Sequence, residues 1–201
     1  MTPSSDMNKR VILITGTPCT GKTVTAKQLA TTLPNAQYIN LTDYAKTNGL
    51  TLGEDEERKT VIINEAKMRR KLAETINASD KANIIIDGHY ASAVTPTELV
   101  SKVFVLRRNP KELKRLMEGC GFEGVKLWEN LSAEILDVCL IEAVKAQEGK
   151  VCELDATGKT VEEVVNEILD VLEGRKKCFV GCVDWLGMLE REGLTDQYLK
   201  A

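Results

Sequence analysis

The sequence predicts an α/β fold, a parallel β-sheet wrapped by helices, and three observations carry that expectation. Short apolar runs alternate with stretches of helical periodicity along the 201 residues. The run Ile84-Ile85-Ile86 is continuously β-branched, a pattern suited to a central strand covered on both faces. The pattern G-x-x-x-x-G-K-[ST], Gly16-Thr17-Pro18-Cys19-Thr20-Gly21-Lys22-Thr23, stands between an apolar run and a helical segment.

The elements follow in order. Val11–Thr15 is the first strand, and Ala26, Leu29, Ala30 and Leu33 mark the helix after it by spacings of three, four and seven. Gln37–Asn40 is the second strand. A longer stretch, from about Thr42 to Ala78, then interrupts the rhythm. It holds Gly49, Gly53, the charged cluster 54–59 and a helix carrying Ile62, Ala66, Leu72, Ala73 and Ile76. Asn83–Asp87, Lys102–Arg107 and Lys150–Leu154 complete a set of five strands. Asn109-Pro110-Lys111-Glu112 combines an N-cap, a proline at the first helical position and a Glu that closes a capping box. A long helix after Gly124 carries Trp128, Leu131, Ile135, Val138 and Cys139 on a buried stripe. The turn before it holds Gly119, Gly121 and Gly124, which suggests mobility. Thr160 to Glu163 is a second capping box, followed by Val161, Val164, Val165, Ile168, Leu169 and Leu172 on one face. The segment 174–201 offers Val183, Trp185, Leu186 and Leu189 as a helix docked on the domain, because an isolated short helix is marginal in water. Display of Trp185 to a partner is the alternative.

Composition narrows the function classes. A net charge of −3 supplies no basic field for gripping nucleic acid. No apolar run approaches the roughly 20 residues that a membrane span needs. The apolar run after Arg10 is too short for a secretory leader, and residues 1–9 read as a loose tail. Six cysteines, at 19, 120, 139, 152, 178 and 182, lack the paired spacings of a zinc site and are expected to be reduced thiols in a cytoplasmic protein.

The Gly16–Thr23 pattern is a phosphate-binding loop in its proper context. Consecutive N–H groups point into one turn, and the following helix adds partial positive charge. Lys22 reaches the outer phosphates of a nucleoside triphosphate, and the Thr23 hydroxyl is placed to hold Mg²⁺. Asp87 closes the Ile84–Ile86 strand, where an acid takes hydrogen bonds from Mg²⁺-bound water; a turn-capping role is the plainer alternative. His89, the one histidine, stands two residues further on, where it can position a water or a phosphate. No N-K-x-D guanine-reading tetrapeptide occurs, which disfavours a GTPase and leaves a small-molecule kinase or a small ATPase. The two interruptions then read as an acceptor clamp and a small lid, or else as a solvated helical hairpin and a plain loop.

These residues resemble the atypical adenylate kinases of the isoenzyme-6 type. The likeness runs through Gly16-Thr17-Pro18, Tyr38-Ile39-Asn40, the Asp87-x-His89 pair and Phe104-Val105-Leu106-Arg107. It continues through Lys126-Leu127-x-Glu129-Asn130 with Ala133-Glu134-Ile135, and ends in Val183-Asp184-Trp185-Leu186. The resemblance implies a P-loop nucleoside-monophosphate-kinase fold with strand order 2-3-1-4-5 in residues 10–174, an acceptor-binding insertion at about 40–78 and a lid at about 119–129. It implies Mg²⁺-dependent ATP + AMP ⇌ 2 ADP transfer, a slower ATPase activity, and a role in small ribosomal subunit maturation through a protein of the uS11 kind. No direct contact with DNA or membrane is expected. Gly16, Cys19, Thr20, Gly21, Lys22, Thr23 and Val24 would cradle the ATP phosphates. Lys22, Asp87 and His89 would be catalytic, Thr23 and (through water) Asp87 would hold Mg²⁺, and Asn40, Lys46 and Arg58 would meet the acceptor. Three positions depart from the family pattern. Cys19 stands for a usual glycine, Cys120 for the arginine of the lid's R-G-Y triplet, and Lys46 for an arginine. Arg115, Lys126 or Arg108 is then the candidate to supply the missing lid cation.

Overall fold

The computed structural model describes residues 9–55 and 60–200. Strand β1 (Arg10–Thr15) is followed by α1 (Lys22–Thr32), β2 (Ala36–Asn40) and α2 (Leu41–Thr47). An antiparallel hairpin, β3 (Thr51–Asp55) and β4 (Thr60–Ile63), leads into α3 (Glu65–Ala78). Next come β5 (Asn83–Asp87), α4 (Ala91–Val94), a 3-10 turn and β6 (Lys102–Arg107). The chain continues through α5 (Pro110–Gly119), α6 (Gly124–Ile135), α7 (Val138–Ala146), β7 (Val151–Asp155) and α8 (Val161–Leu172). It closes with α9 (Trp185–Arg191) and α10 (Thr195–Tyr198).

The parallel sheet has the order β2-β5-β1-β6-β7, which is 2-3-1-4-5 when its five strands are counted alone. Alternate strand residues enter opposite layers. Val11, Leu13, Ile84 and Ile86 pack with Met68, Leu72 and Ile76 of α3, while Ile12, Ile14 and Ile85 pack with Leu29 of α1 and Ile168 of α8. A third apolar cluster lies off the sheet, where Leu113, Met117, Leu127, Leu131 and Ile135 of α5 and α6 meet Leu189 of α9. The C-terminal segment is thus packed on the helices that flank the glycine-rich turn. Register sets the carboxyl edge, since Asp87 is level with Asn40 on one side and with Ile14 on the other. Ligands of open α/β sheets bind at that edge.

Four expectations need correction. Ile62 lies in β4 and is exposed, not on a helix face, because β4 pairs antiparallel with β3 ahead of α3. The long helix after Gly124 breaks at Asp137, which adopts φ 59 and separates α6 from α7; Val138 is consequently exposed. Lys9 is anchored, since its ammonium donates to the Ile76 and Ser79 carbonyls at the end of α3, while residues 1–8 of the expected tail lie outside the described residues. Finally, Cys152 and Cys178 form a disulfide. The strand edge explains it: Glu153 N–H donates to the Phe179 carbonyl, so the returning segment lies alongside β7 and brings the two Cα atoms to 5.1 Å.

Candidate active site

The loop between β1 and α1 depends on unusual backbone angles. Gly16 has φ 132, and a Cβ there would lie 2.4 Å from the Leu106 carbonyl oxygen, so only glycine passes this close to β6. Gly21, at φ 99, turns the chain into α1. Cys19 takes φ 65 without being glycine. The turn is closed by Thr20 Oγ1 donating to the Thr17 carbonyl (2.9 Å), to which the Lys22 ammonium also donates (2.8 Å). Lys22 therefore folds back over the anion nest formed by the loop and the helix N-terminus. Burial holds its pKa below the usual lysine value, against the opposing pull of Cys139 and Asp87.

Asp87 is buried at the end of β5, and one of its oxygens collects three donors. Thr23 Oγ1 lies at 2.7 Å, Asn40 Nδ2 at 2.9 Å and the Tyr38 hydroxyl at 3.0 Å. Asn40 also caps α2 by accepting from Asp43 N–H. Burial, reinforced by the Asp87 charge, pushes Tyr38 up to about 12, so its hydroxyl remains a donor. The segment after Asp87 is pinned to β1: Gly88 N–H donates to the Ile14 carbonyl and Thr15 Oγ1 to the His89 carbonyl. Burial and then the Lys22 charge push His89 down to about 4, with Asp87 opposing. His89 stacks edge-on against Tyr90 and borders a cavity of about 500 Å³, lined also by Glu65, Ser92, Glu142 and Lys145.

Two side chains missed by sequence reasoning organise the loop. Glu134 of α6 is buried and accepts from Thr17 Oγ1 (2.5 Å), Arg107 Nε (2.9 Å), Arg108 N–H (3.0 Å) and Trp185 Nε1 (3.1 Å). Arg107, equally buried, also reaches Asp137 and Glu153. Burial alone would lower the Arg107 pKa, but the Glu134 and Asp137 carboxylates override it and raise it. The available signal was a carboxylate on the buried face of α6, one helical turn after Leu131 and next to Ile135. Glu153 ties in the C-terminus by accepting from Gly181 and Cys182 N–H, both at 2.8 Å.

Of the residues singled out from the sequence, the structure gathers the 16–23 loop, Asp87, Asn40 and His89 at one edge of the sheet. Val24 lies in the first turn of α1 and Lys46 stands exposed on the last turn of α2. Arg58 lies outside the described residues. Arg108 comes beside the loop: its guanidinium is 3.5 Å from the Thr20 carbonyl and pairs with Glu112. The donor set fits Mg²⁺ on chemical grounds. Hydroxyl and carboxylate oxygens suit a hard cation, and Thr23 donates its proton to Asp87, which leaves its lone pairs for a metal.

Sheet order, anion nest and strand-end carboxylate together define a P-loop fold of the nucleotide-kinase kind. The family described as "AAA domain" matches residues 12–137. Relatives named "Putative adenylate kinase" align along nearly the whole chain. That of Saccharolobus solfataricus is 38% identical over 88% of this chain and 87% of its own. That of Pyrococcus furiosus is 39% identical over 90% and 93%. Among solved structures, thymidylate kinase from Candida albicans superposes with a TM-score of 0.55 at 16% identity, covering 83% of this chain and 92% of its own. Shikimate kinase from Bacteroides thetaiotaomicron gives 0.56 at 20% identity, covering 82% and 98%, and both likenesses concern the fold. The chain belongs to the family of these archaeal adenylate-kinase-like proteins, P-loop nucleotide kinases.

Proposed function

We propose that this nucleotide kinase transfers the γ-phosphoryl group of ATP to AMP, with hydrolysis of ATP as a slower side reaction. The observation that carries the reading is the 2.7 Å contact between Thr23 and Asp87, which joins the phosphate nest to the carboxylate in the arrangement ATP with Mg²⁺ requires. Mg²⁺, when bound, neutralises charge on the β- and γ-phosphates. The N–H groups of residues 19–24 bind those phosphates, and Lys22 leaves the Thr17 carbonyl to bridge them as charge builds up. Asp87, held by Asn40 and Tyr38, and the Thr23 hydroxyl, whose proton goes to Asp87, are the residues that would hold the ion. His89 is neutral near pH 7 and so offers one N–H and one acceptor at the mouth of the cavity.

That cavity is the acceptor pocket in this reading, with His89 on its wall, Asn40 beside Asp87 in the neighbouring floor of the site and Lys46 on the clamp. Arg108 supplies the cation that Cys120 does not, because its guanidinium already lies beside Thr20, and its Nε is buried without a hydrogen-bond partner among the described residues. No described helix is long and apolar enough to cross a membrane. A further role in small ribosomal subunit maturation follows from the isoenzyme-6 resemblance, and the net charge of −3 suits a basic partner of the uS11 kind.

A coupled assay of ADP formation tests the proposal. ATP with AMP is expected to give rapid turnover and ATP alone a slow background. Lys22→Ala should lower the AMP-dependent rate by about 10²–10³-fold, the usual effect of removing one charge-stabilising donor. Turnover that is equal with and without AMP would sink the adenylate kinase reading.

A further inference from the structure

Two of the free cysteines, Cys19 and Cys120, stand on the two parts of the site, one in the phosphate-binding loop and one at the turn between α5 and α6. Cys19 lies inside the phosphate-binding loop, yet its side chain packs against the apolar cluster of α5 and α6. Cys120 caps the C-terminus of α5, opens the glycine-rich turn and is exposed. That cluster includes Met117 and Phe122, which bracket Cys120 in the chain, so the loop cysteine packs against the turn that carries the second thiol. Neither takes part in the Cys152–Cys178 disulfide. Cys19 also keeps a side chain at φ 65, where glycine would be unstrained, and strain retained at a site invites a functional explanation.

We propose that Cys19 and Cys120 form a reversible thiol–disulfide site through which a peroxide-class oxidant fastens the lid turn onto the P-loop and closes the nucleotide site. The inference rests on the reading of that loop as an ATP site. Exposed Cys120 reacts first: its thiolate attacks one peroxide oxygen, the O–O bond breaks and the departing oxygen leaves as water after protonation. The resulting sulfenic acid is attacked by the Cys19 sulfur, the S–O bond breaks, and a second water leaves with the Cys19 proton. Two thiols thereby lose two electrons and two protons to hydrogen peroxide, and one disulfide and two waters form. A dithiol reductant reverses the bond by exchange.

The environment assigns these roles. Burial, then the contact with Cys120, pushes Cys19 up to about 12, so it stays protonated and unreactive until its neighbour is oxidised. Once formed, the bond holds the turn against the loop whose N–H groups must receive the phosphates, and a lid that cannot lift admits no triphosphate.

The experiment uses the full chain, treated with hydrogen peroxide, alkylated, digested with trypsin and weighed, with ATP affinity measured by calorimetry before and after. The expected result is a cross-link between peptide Val11–Lys22 and peptide Leu116–Lys126. ATP affinity should fall by about tenfold or more, a change of about 1.4 kcal/mol or greater, and return on addition of dithiothreitol. Cys120→Ser should give no cross-link, and its ATP affinity should be the same with and without peroxide. Absence of the cross-link, an oxidised protein with unchanged affinity, or a Cys120→Ser variant that still loses affinity on oxidation would each overturn the proposal. ATP binding by the reduced protein is read separately. Its failure would overturn the ATP reading and, with it, closure of a nucleotide site, whereas a missing cross-link leaves the ATP reading intact.

Discussion

The floor of the site and its cover are built on different principles. The floor, residues 16–23 with Asp87 and Asn40, sits on the ends of adjacent parallel strands whose register brings the side chains level. The cover, α5 and α6 with their glycine-rich turn, rests on a separate apolar cluster that includes Leu189 from the C-terminal segment, and α6 meets the sheet through the buried Glu134–Arg107 pair. Backbone hydrogen bonds place the floor; side chains place the cover. Glu134 joins the two, because it accepts from Thr17 in the floor and from Trp185 behind the cover. Geometry set by a sheet tolerates changes nearby, whereas a junction made of one buried carboxylate does not.

Glu134→Gln is the strongest test of that contrast. The amide keeps the shape and retains an acceptor for Arg107, Arg108 N–H and Trp185, and the Thr17 hydroxyl can reverse its hydrogen bond. What disappears is the charge opposite the buried Arg107, which is left to Glu153 and the half-exposed Asp137. Arg107 keeps the buried Glu153 carboxylate, so the loss is that of one hydrogen bond between charged groups, and chemical denaturation is expected to show about 1.5–3 kcal/mol. A variant as stable as the parent would mean that Glu134 is not the junction.

Arg108→Ala probes the cover from the other side, with a smaller effect. The guanidinium belongs to none of the three apolar clusters, so folding should be little changed. The expected outcome is a fall in kcat of about 10²-fold, within the range for one lost charge-stabilising donor. KM for ATP should move less, because the nest still binds the phosphates. Arg108→Lys should restore part of the loss, since a point charge replaces a planar fork. Should KM alone rise while kcat is kept, Arg108 contributes ground-state binding only.

The same contrast explains what the sequence made legible. The five parallel strands, their order and the Gly16–Thr23 loop all stand where expected, because a local pattern and a family resemblance determine them. Ile62 was misplaced because short apolar stretches do not distinguish a strand from the start of a helix. The break at Asp137 was hidden by an apolar pattern running from Trp128 to Cys139, which continues past a single residue in the left-handed region. Asp137 is held there beside Arg107, a contact between residues 30 apart in sequence. The Cys152–Cys178 pairing was hidden for a similar reason: it depends on the C-terminal segment returning to the edge of β7. Glu134, Arg107 and Tyr38 stood within the motifs that carried the resemblance, yet their hydrogen bonds belong to the packed molecule.

His89 supplies the mildest test, at the boundary between floor and cavity. Burial and the Lys22 ammonium push it from 6.5 to about 4, so the folded protein resists protonating it where the unfolded chain does not. Between those two values the unfolded state binds more protons, and stability therefore falls as pH drops from about 6.5 towards 4. Above that window both states hold a neutral imidazole and the residue adds no slope. His89→Gln is neutral throughout. Unfolding free energies of parent and variant should run parallel above pH 7, and the parent should lose ground as the solution is acidified to pH 4. The assay should likewise show no loss of kcat between pH 8 and 6 that His89→Gln removes, because the imidazole works uncharged. A stability difference that is constant from pH 7 to pH 4 would show that His89 titrates as it does in the open chain, and the neutral role given to it at the cavity mouth would fall.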